Sequence, residues 1–294
     1  MNKNVVKTWV LMTGFFVFVV AVGFIFSQIF ASPDILYFAV ALSLAMNIAS
    51  YWFSDKIALM ISGAKPASRN EYPELHRIVE KVARLANIPA PRVYVINDSS
   101  PNAFATGRNK NHAAVAATTG ILQTLTESEL EGVLAHEISH IKNRDILISS
   151  IAVVLAGAIA MISDFFLRMT FFRGVFGGDR DRNGGSSAMM ILGIAAAILA
   201  PIAAMLIQLA VSRRREFLAD ESGARLMRNP EPLAQALIKI HNNPKQLSHI
   251  SSATAHLYID NPFKKKDGHN WFVKLFMTHP PVEDRIKNLR SIRM

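Results

Sequence analysis

The 294-residue chain contains no cysteine. Disulfide bonds and thiolate metal ligands are therefore excluded, and any bound metal must be held by histidine and carboxylate side chains. Charged residues are also scarce at 18% of the chain, whereas apolar residues make up 51% and the mean hydropathy is +0.24. Because this balance is apolar for a soluble domain, membrane spans are the first structure to test.

Four stretches lack Asp, Glu, Lys, Arg and His for long enough to cross a bilayer core of about 30 Å, which takes about 20 helical residues. These predicted spans are residues 8–33, 35–54, 146–163 and 186–212. The first stretch is much longer than the apolar region of a cleaved signal peptide, so we predict a retained span.

Basic residues set the predicted orientation of the spans. The chain has 32 Lys and Arg against 22 Asp and Glu, a formal net charge of +10. Basic residues flank the spans beside both termini and both polar regions, roughly 62–145 and 212–294, which the positive-inside rule assigns to the cytoplasm. Four arginines argue against this assignment, because they fall in the loop placed outside: Arg168, Arg173, Arg180 and Arg182. A shallow hairpin of the third and fourth stretches is therefore the alternative.

The first polar region predicts a helix and then a small sheet. Apolar residues recur at helical spacing within 71–88, namely Leu75, Ile78, Val79, Val82 and Leu85. "RVYVIND" predicts one strand, and "NAFATGRNKNHAAVAATTGIL" predicts two more around a turn at 107–111. Thr126 and Glu129 form a capping box that begins the next helix. The second polar region predicts helices broken at prolines.

The pattern HEISH at 136–140 lies on that capped helix. Residues four apart project to the same side, so His136 and His140 can offer imidazole nitrogens to one ion. Glu137 lies beside them, where a carboxylate can take the proton of an activated water. A random chain of this composition would show the pattern with a chance of roughly 1%, which disfavours an incidental pair of surface histidines.

A catalytic zinc usually has three protein ligands and an open fourth position. No histidine lies between His140 and His241, so the third ligand must come from elsewhere. Glu216 and Asp220 lie four apart on a predicted helix, one as ligand and the other to orient a ligating histidine, although a solvated helix face is the alternative. Two predicted spans separate His140 from Glu216, so both residues reach the same side of the membrane.

Four stretches together resemble the HtpX family of bacterial membrane zinc metalloproteases, which is related to the Ste24 CAAX-processing proteases. They are "NAFATG" at 102–107, "HEISHIKNRD" at 136–145, "REFLAD" at 215–220 and "THPPVEDRI" at 278–286. The resemblance spans essentially the whole chain. It implies an α-helical multi-pass membrane protein with an α+β zincin-like metalloprotease domain formed by two cytoplasmic segments.

The resemblance also implies roles for individual residues. One Zn²⁺ per chain would be held by His136, His140 and Glu216, with Glu137 as catalytic base and Asp220 orienting a ligand. His279 would donate to the developing oxyanion and Arg285 would structure the adjoining helix, whereas a simple capping role for His279 is the alternative. Asn102 would hydrogen-bond a peptide beside an edge strand, the alternative being a plain strand with Phe104 in the core.

The expected activity is that of a gluzincin-type endopeptidase acting on misfolded or damaged membrane proteins at the cytoplasmic face of the bacterial inner membrane. Quality control and stress response are the roles that the resemblance implies. Expected partners are polypeptides and anionic lipid headgroups beside the runs "SRRRE" and "FKKKDG". Nucleic acid is not expected, because one run flanks a span and the other lacks interleaved stacking aromatics.

The predicted division of the chain has four parts, a two-span hairpin at 1–61, a protease segment at 62–145, a second hairpin at 146–212 and a second protease segment at 213–294. Two other kinds of protein stay as alternatives. A scaffold or adaptor with a structural metal would need a fourth protein ligand, for which the sequence offers no convincing candidate. A transporter is suggested only by polar residues within spans, such as Asn47 and Gln208, which more often bond to neighbouring helices.

Overall fold

The computed structural model describes residues 3–29, 31–176, 212–244, 257, 259 and 280–293. The fourth predicted span up to residue 211, and with it Gln208, lies outside these residues. The helices are α1 (Lys3–Ile29), α2 (Pro33–Ile61), α3 (Pro73–Ala86), α4 (Thr119–Thr124), α5 (Glu127–Asn143), α6 (Ile146–Phe176), α7 (Arg213–Met227), α8 (Glu231–Asn242) and α9 (Val282–Ser291). The strands are β1 (Lys65–Pro66), β2 (Arg92–Ile96), β3 (Ala103–Gly107) and β4 (Ala113–Thr118).

Three helices of the described chain are long and apolar enough to cross a membrane: α1, α2 and the first part of α6. Helices α1 and α6 share a buried apolar cluster that includes Leu11, Met12, Phe15, Ile148, Ile151 and Leu155. Large apolar side chains remain exposed on α1 and α2, among them Trp9, Val17, Phe24, Phe38 and Trp52. Exposed apolar surface of this kind suits contact with lipid, which agrees with the predicted first three spans.

Two membrane helices extend beyond the predicted spans. Helix α2 continues through Asp55, whose carboxylate accepts a 2.5 Å hydrogen bond from Arg92 at the start of β2. Helix α6 continues past Ser163, so Arg168 is helical and pairs with Asp164 at 2.6 Å rather than lying in a loop. The predicted spans followed the charge-free length, whereas the helices continue past it, because charges alone do not end a helix. The part of α6 that is apolar enough to cross a membrane, Ile146–Asp164, agrees with the predicted span. At 31 residues, α6 is about 46 Å long.

The sheet has the strand order β1-β2-β4-β3, with β2 and β4 parallel and the two edge strands antiparallel to their neighbours. The three predicted strands are confirmed, whereas β1 has only two residues and no pattern that would predict it. Phe104 is fully buried with Ala114 and Ala116 against Ala58 and Val153 of the membrane helices, as its predicted core position requires. Alternate residues face the other way, so the sheet lies between the membrane helices and the α3–α5 layer.

Helix α5 is the centre of the protease part. Thr126 and Glu129 form the predicted capping box, in which the Thr126 N–H donates to the Glu129 carboxylate at 2.8 Å. The helix ends at Asn143, and the left-handed backbone of Arg144 (φ 61°) turns the chain sharply into α6. Because α5 packs on α3, α7, α8 and β3, it is enclosed on most sides and buries polar residues as well as apolar ones.

Candidate metal centre

Two turns of α5 and one of α7 bring three metal-binding side chains together. The Nε2 atoms of His136 and His140 are 3.2 Å apart, and the Glu216 carboxylate oxygens lie 3.7 Å and 3.6 Å from these two atoms. Ligand atoms about 2.1 Å from a zinc ion at tetrahedral angles are about 3.4 Å from one another. The donor set therefore fits zinc, and within the described part of the chain this group contains three ligands.

Close packing between α5 and α7 sets the position of Glu216. Gly223 lies two turns beyond Glu216 on α7, and a Cβ atom there would be 3.0 Å from the backbone nitrogen of His136. The absence of a side chain lets the two helices approach along their backbones. Glu216 is then only 6% exposed, within reach of both histidines.

Each of the two histidines has a carboxylate at its other ring nitrogen, Nδ1. Nδ1 of His136 is 2.9 Å from Asp220, and Nδ1 of His140 is 3.2 Å from Asp145. Since an ionised carboxylate only accepts hydrogen bonds, each Nδ1 donates, and each Nε2 atom is left for a metal. The structure thus places Asp220 where the sequence predicted an orienting residue.

Asp145 is a site residue that the sequence reasoning missed. The left-handed residue Arg144 turns the chain back, so that the Asp145 N–H donates to the carbonyl of His140 at 2.9 Å. This turn brings the Asp145 carboxylate beside the His140 ring. Two signals in the sequence pointed to Asp145: its position just after the C-terminal end of the helix that carries the histidines, and its place at the end of the stretch "HEISHIKNRD".

Arg285 supports the site from α9. Its guanidinium donates two hydrogen bonds to Asp220, at 2.9 Å and 2.7 Å, and a third to the carbonyl of Ile259 at 2.8 Å. Both Arg285 and Asp220 are fully buried. The sequence predicted a structural role for this arginine on its own helix, and the structure adds a chain of contacts from Arg285 through Asp220 to His136.

The charges around the two histidines differ. Burial lowers the pKa of His136, and the hydrogen bond to Asp220 offsets this only in part, so the ring is neutral at pH 7. Burial opposes charge on His140 too, but the negative charge of Glu216 and the contact with Asp145 raise its pKa to about 9. Burial acts to raise the pKa of Asp220, whereas Arg285 lowers it to about 2. His140 therefore carries a proton that must leave before the ring binds metal.

Glu137 lies beside the three candidate ligands and is held by the edge strand of the sheet. Its carboxylate accepts a 2.8 Å hydrogen bond from the backbone N–H of Ala105 in β3, and only 3% of the residue is exposed. A carboxylate fixed next to a metal can accept a proton from a water at the open position. The contact with Ala105 was not foreseen, because nothing in the sequence specifies how β3 meets α5.

The remaining predicted site residues are placed as follows. Asn102 is 3% exposed, and its side-chain oxygen accepts hydrogen bonds from the backbone N–H groups of Ala103 and Ile259. Its amide oxygen thus serves the protein's own backbone, and the suggested contact with substrate stays a prediction. His279 lies outside the described residues, so its suggested oxyanion role stays a prediction as well.

A helix-borne histidine pair, a third carboxylate ligand, an adjacent buried glutamate and membrane helices packed on the same sheet define a class, the membrane-bound metallopeptidases. A structural zinc site would instead be closed by four protein ligands.

The chain belongs to Peptidase family M48, whose family model matches residues 69–293. It is 54% identical over 258 residues to a protease HtpX homolog of Pyrococcus furiosus, covering 87% of this chain and 86% of that protein. Protease HtpX homologs of Pyrococcus abyssi and Streptococcus gordonii are 48% and 44% identical, covering 98% and 99% of this chain and 96% and 97% of theirs. The crystal structure of S. mikatae Ste24p is 18% identical, with a TM-score of 0.49 over 98% of this chain and 65% of that one. The protein is therefore an integral membrane metalloprotease, as its sequence predicted.

Proposed function

We propose that the protein is a zinc endopeptidase that cleaves misfolded or damaged membrane proteins at the cytoplasmic face of the cell membrane. The observation that carries this proposal is the convergence of His136, His140 and Glu216 beside Glu137. These three residues would hold a zinc ion, which would lower the pKa of a bound water to about 7 and polarise the scissile carbonyl. The four-part division of the chain, with both protease segments on one side of the membrane, belongs to the same proposal.

The protein's own residues perform the proton transfers. Glu137 accepts the proton of the attacking water and passes it to the leaving amine. The N–H of Ala105 keeps the Glu137 carboxylate in a fixed orientation, at 2.8 Å. Asp220 and Asp145 keep Nδ1 of the two ligating rings protonated, which holds both Nε2 atoms towards the third ligand.

The burial of the site supports a preference for unfolded substrates. His136, Glu137 and Glu216 are each at most 6% exposed. A folded protein surface cannot reach side chains this deep, so we expect the substrate to present a single extended segment to the site. Damaged membrane proteins expose such segments near the bilayer, where the membrane helices hold the protease.

Zinc content tests the third ligand. Glu216→Ala in the purified full-length protein should lose its zinc and its casein-cleaving activity, because two histidines alone hold the ion weakly. Glu221→Ala is the matched control, since Glu221 is half-buried on the same helix and pairs only with Arg225 in the described residues. If the Glu216→Ala variant still bound one equivalent of zinc tightly, another residue would have to complete the site.

Substrate class and orientation are tested together in membranes. In inverted vesicles, whose cytoplasmic face points outward, the protein should cleave a destabilised single-span protein faster than its stably folded parent. Right-side-out vesicles should leave added soluble substrate intact. Cleavage of added casein only by right-side-out vesicles would contradict the cytoplasmic assignment, and equal cleavage of both single-span proteins would contradict the preference for unfolded substrate.

A further inference from the structure

The carboxylate of Asp145 joins the metal centre to the first membrane helix. One oxygen is 3.2 Å from Nδ1 of His140, and the other accepts a 2.5 Å hydrogen bond from the side-chain amide of Asn4. The Asn4 amide is also 3.4 Å from the carbonyl of Asn143. Asp145 is 4% exposed, so its carboxylate is sheltered from water, whereas Asn4 is half-buried. A residue in the first turn of α1 therefore fixes the group that orients a ligating ring.

A second contact joins α6 to the strand that holds Glu137. The hydroxyl of Ser150 is 2.7 Å from the hydroxyl of Thr106 and accepts a 3.1 Å hydrogen bond from the N–H of Gly107. Ser150 and Thr106 are fully buried. Thr106 and Gly107 directly follow Ala105, whose N–H holds the Glu137 carboxylate. The end of this edge strand is thus pinned to a membrane helix.

The two contacts belong to one packed unit, because Leu11 and Phe15 of α1 share a buried cluster with Ile148 and Ile151 of α6. Both polar contacts lie within the first two turns of their helices, next to the protease part. In a buried setting, a hydrogen bond to a carboxylate restricts its rotation more than a solvated contact does.

We infer that Asn4 and Ser150 are positioning residues of the active site: Asn4 fixes His140 through Asp145, and Ser150 fixes Glu137 through the end of β3. The membrane helices then have a part in catalysis beyond anchoring. The inference rests on the proposed zinc endopeptidase function. Neither residue touches a ligand atom, so each acts through the group it holds.

Zinc release tests the Asn4 contact without relying on activity. In full-length protein loaded with zinc in detergent, Asn4→Ala should speed the release of zinc to a chelator by up to about tenfold, the lower end of the loss seen when a group behind a ligand is removed. Asn4→Asp should release zinc faster still, because it places a second carboxylate against Asp145. Asn47→Ala is the matched control, since the Asn47 amide donates to Ser43 in its own membrane helix.

A double-mutant cycle separates positioning from general loosening of α1. Asn4→Ala and Asp145→Asn should be non-additive in zinc release, because both act through one contact. Additive effects on zinc release would overturn the inference for Asn4. The inference would also fail if both Asn4→Ala and Asn4→Asp retained zinc like the unchanged protein.

The Ser150 contact should show in turnover rather than in zinc binding. Ser150→Ala should lower kcat several-fold while KM and zinc release stay unchanged, because Glu137 loses its orientation and the ligands do not. Ser50→Ala is the control. Within the described residues, the buried Ser50 hydroxyl donates a hydrogen bond only to the carbonyl of Asn47 in its own helix. An unchanged kcat, or equal losses in both variants, would overturn the inference for Ser150.

The endopeptidase function and the positioning roles of Asn4 and Ser150 can fail independently. If the purified protein cleaves nothing but Asn4→Ala still speeds zinc release, the endopeptidase function fails and the positioning of His140 stands. If the protein cleaves casein while the Asn4 and Ser150 variants match their controls, the endopeptidase function stands and the positioning roles of Asn4 and Ser150 fail.

Discussion

The buried pair of Arg285 and Asp220 gives the sharpest energetic prediction. Arg285→Met removes the guanidinium but keeps an apolar chain of similar length. Among the described residues, the fully buried Asp220 carboxylate then keeps His136 as its remaining partner. Breaking a buried ion pair on one side costs about 3–5 kcal/mol. For a protein of this size the melting temperature should fall by about 10 °C. Zinc affinity should fall about 10- to 100-fold, because Asp220 orients His136.

The sign of the pH dependence adds a second check. In the unchanged protein, Arg285 lowers the pKa of Asp220 to about 2, so the stabilising charge is present above the ordinary carboxyl pKa of about 4 and is lost as the pH falls through about 2. Without Arg285, burial raises that pKa, and protonation of Asp220 then relieves the unpaired charge. The stability difference between Arg285→Met and the unchanged protein should therefore shrink between pH 7 and pH 4.

Thermal unfolding in detergent and competition with a zinc chelator measure both effects. Arg290→Met is the matched control on the same helix, because Arg290 pairs with Glu231 at the surface and should have little influence on either quantity. If Arg285→Met melted and bound zinc like Arg290→Met, the chain of contacts from Arg285 to His136 would not support the site.

Two further predictions follow from the geometry. Gly223→Ala should push α7 away from α5, since its Cβ would lie 3.0 Å from the backbone nitrogen of His136. Because α7 carries Glu216 and Asp220, zinc affinity should fall at least tenfold. An unchanged zinc affinity in a chelator titration would refute the close packing. Zinc binding at pH 7 should release close to one proton from His140, in addition to any proton lost by a zinc-bound water, because the pKa of His140 in the metal-free protein is about 9. Calorimetry in buffers of different ionisation enthalpy counts these protons, and no release at pH 7 would contradict the protonated His140.

Local patterns in the sequence predicted the elements that carry the site. The capping box at Thr126, the alternation around 103–118 and the spacing of His136 and His140 each depend on neighbours within a few residues, so they could be recognised from sequence. Local patterns could not predict that Glu216 approaches the two histidines, because a membrane helix separates these residues in the sequence. The number of predicted spans and the family resemblance were what indicated this approach.

Contacts between elements distant in sequence could not be predicted. Asp145 joins the site because one left-handed residue reverses the chain, Ala105 meets Glu137 because of how β3 packs on α5, and Asn4 lies 141 residues from Asp145. Each depends on the relative placement of whole helices, which no local pattern specifies. Helices α2 and α6 continue beyond the charge-free spans, because Asp55 and Asp164 pair with Arg92 and Arg168 and stay helical.

The central claim is that Glu137 acts as the base of a zinc peptidase, and one measurement tests it most directly. Zinc content and casein cleavage should be determined on the same contaminant-free preparation of the full-length Glu137→Gln protein. Because Glu137 lies beside the ligands rather than among them, the variant should keep one zinc per chain and lose proteolysis. Proteolysis at the level of the unchanged protein, with zinc bound, would contradict the account.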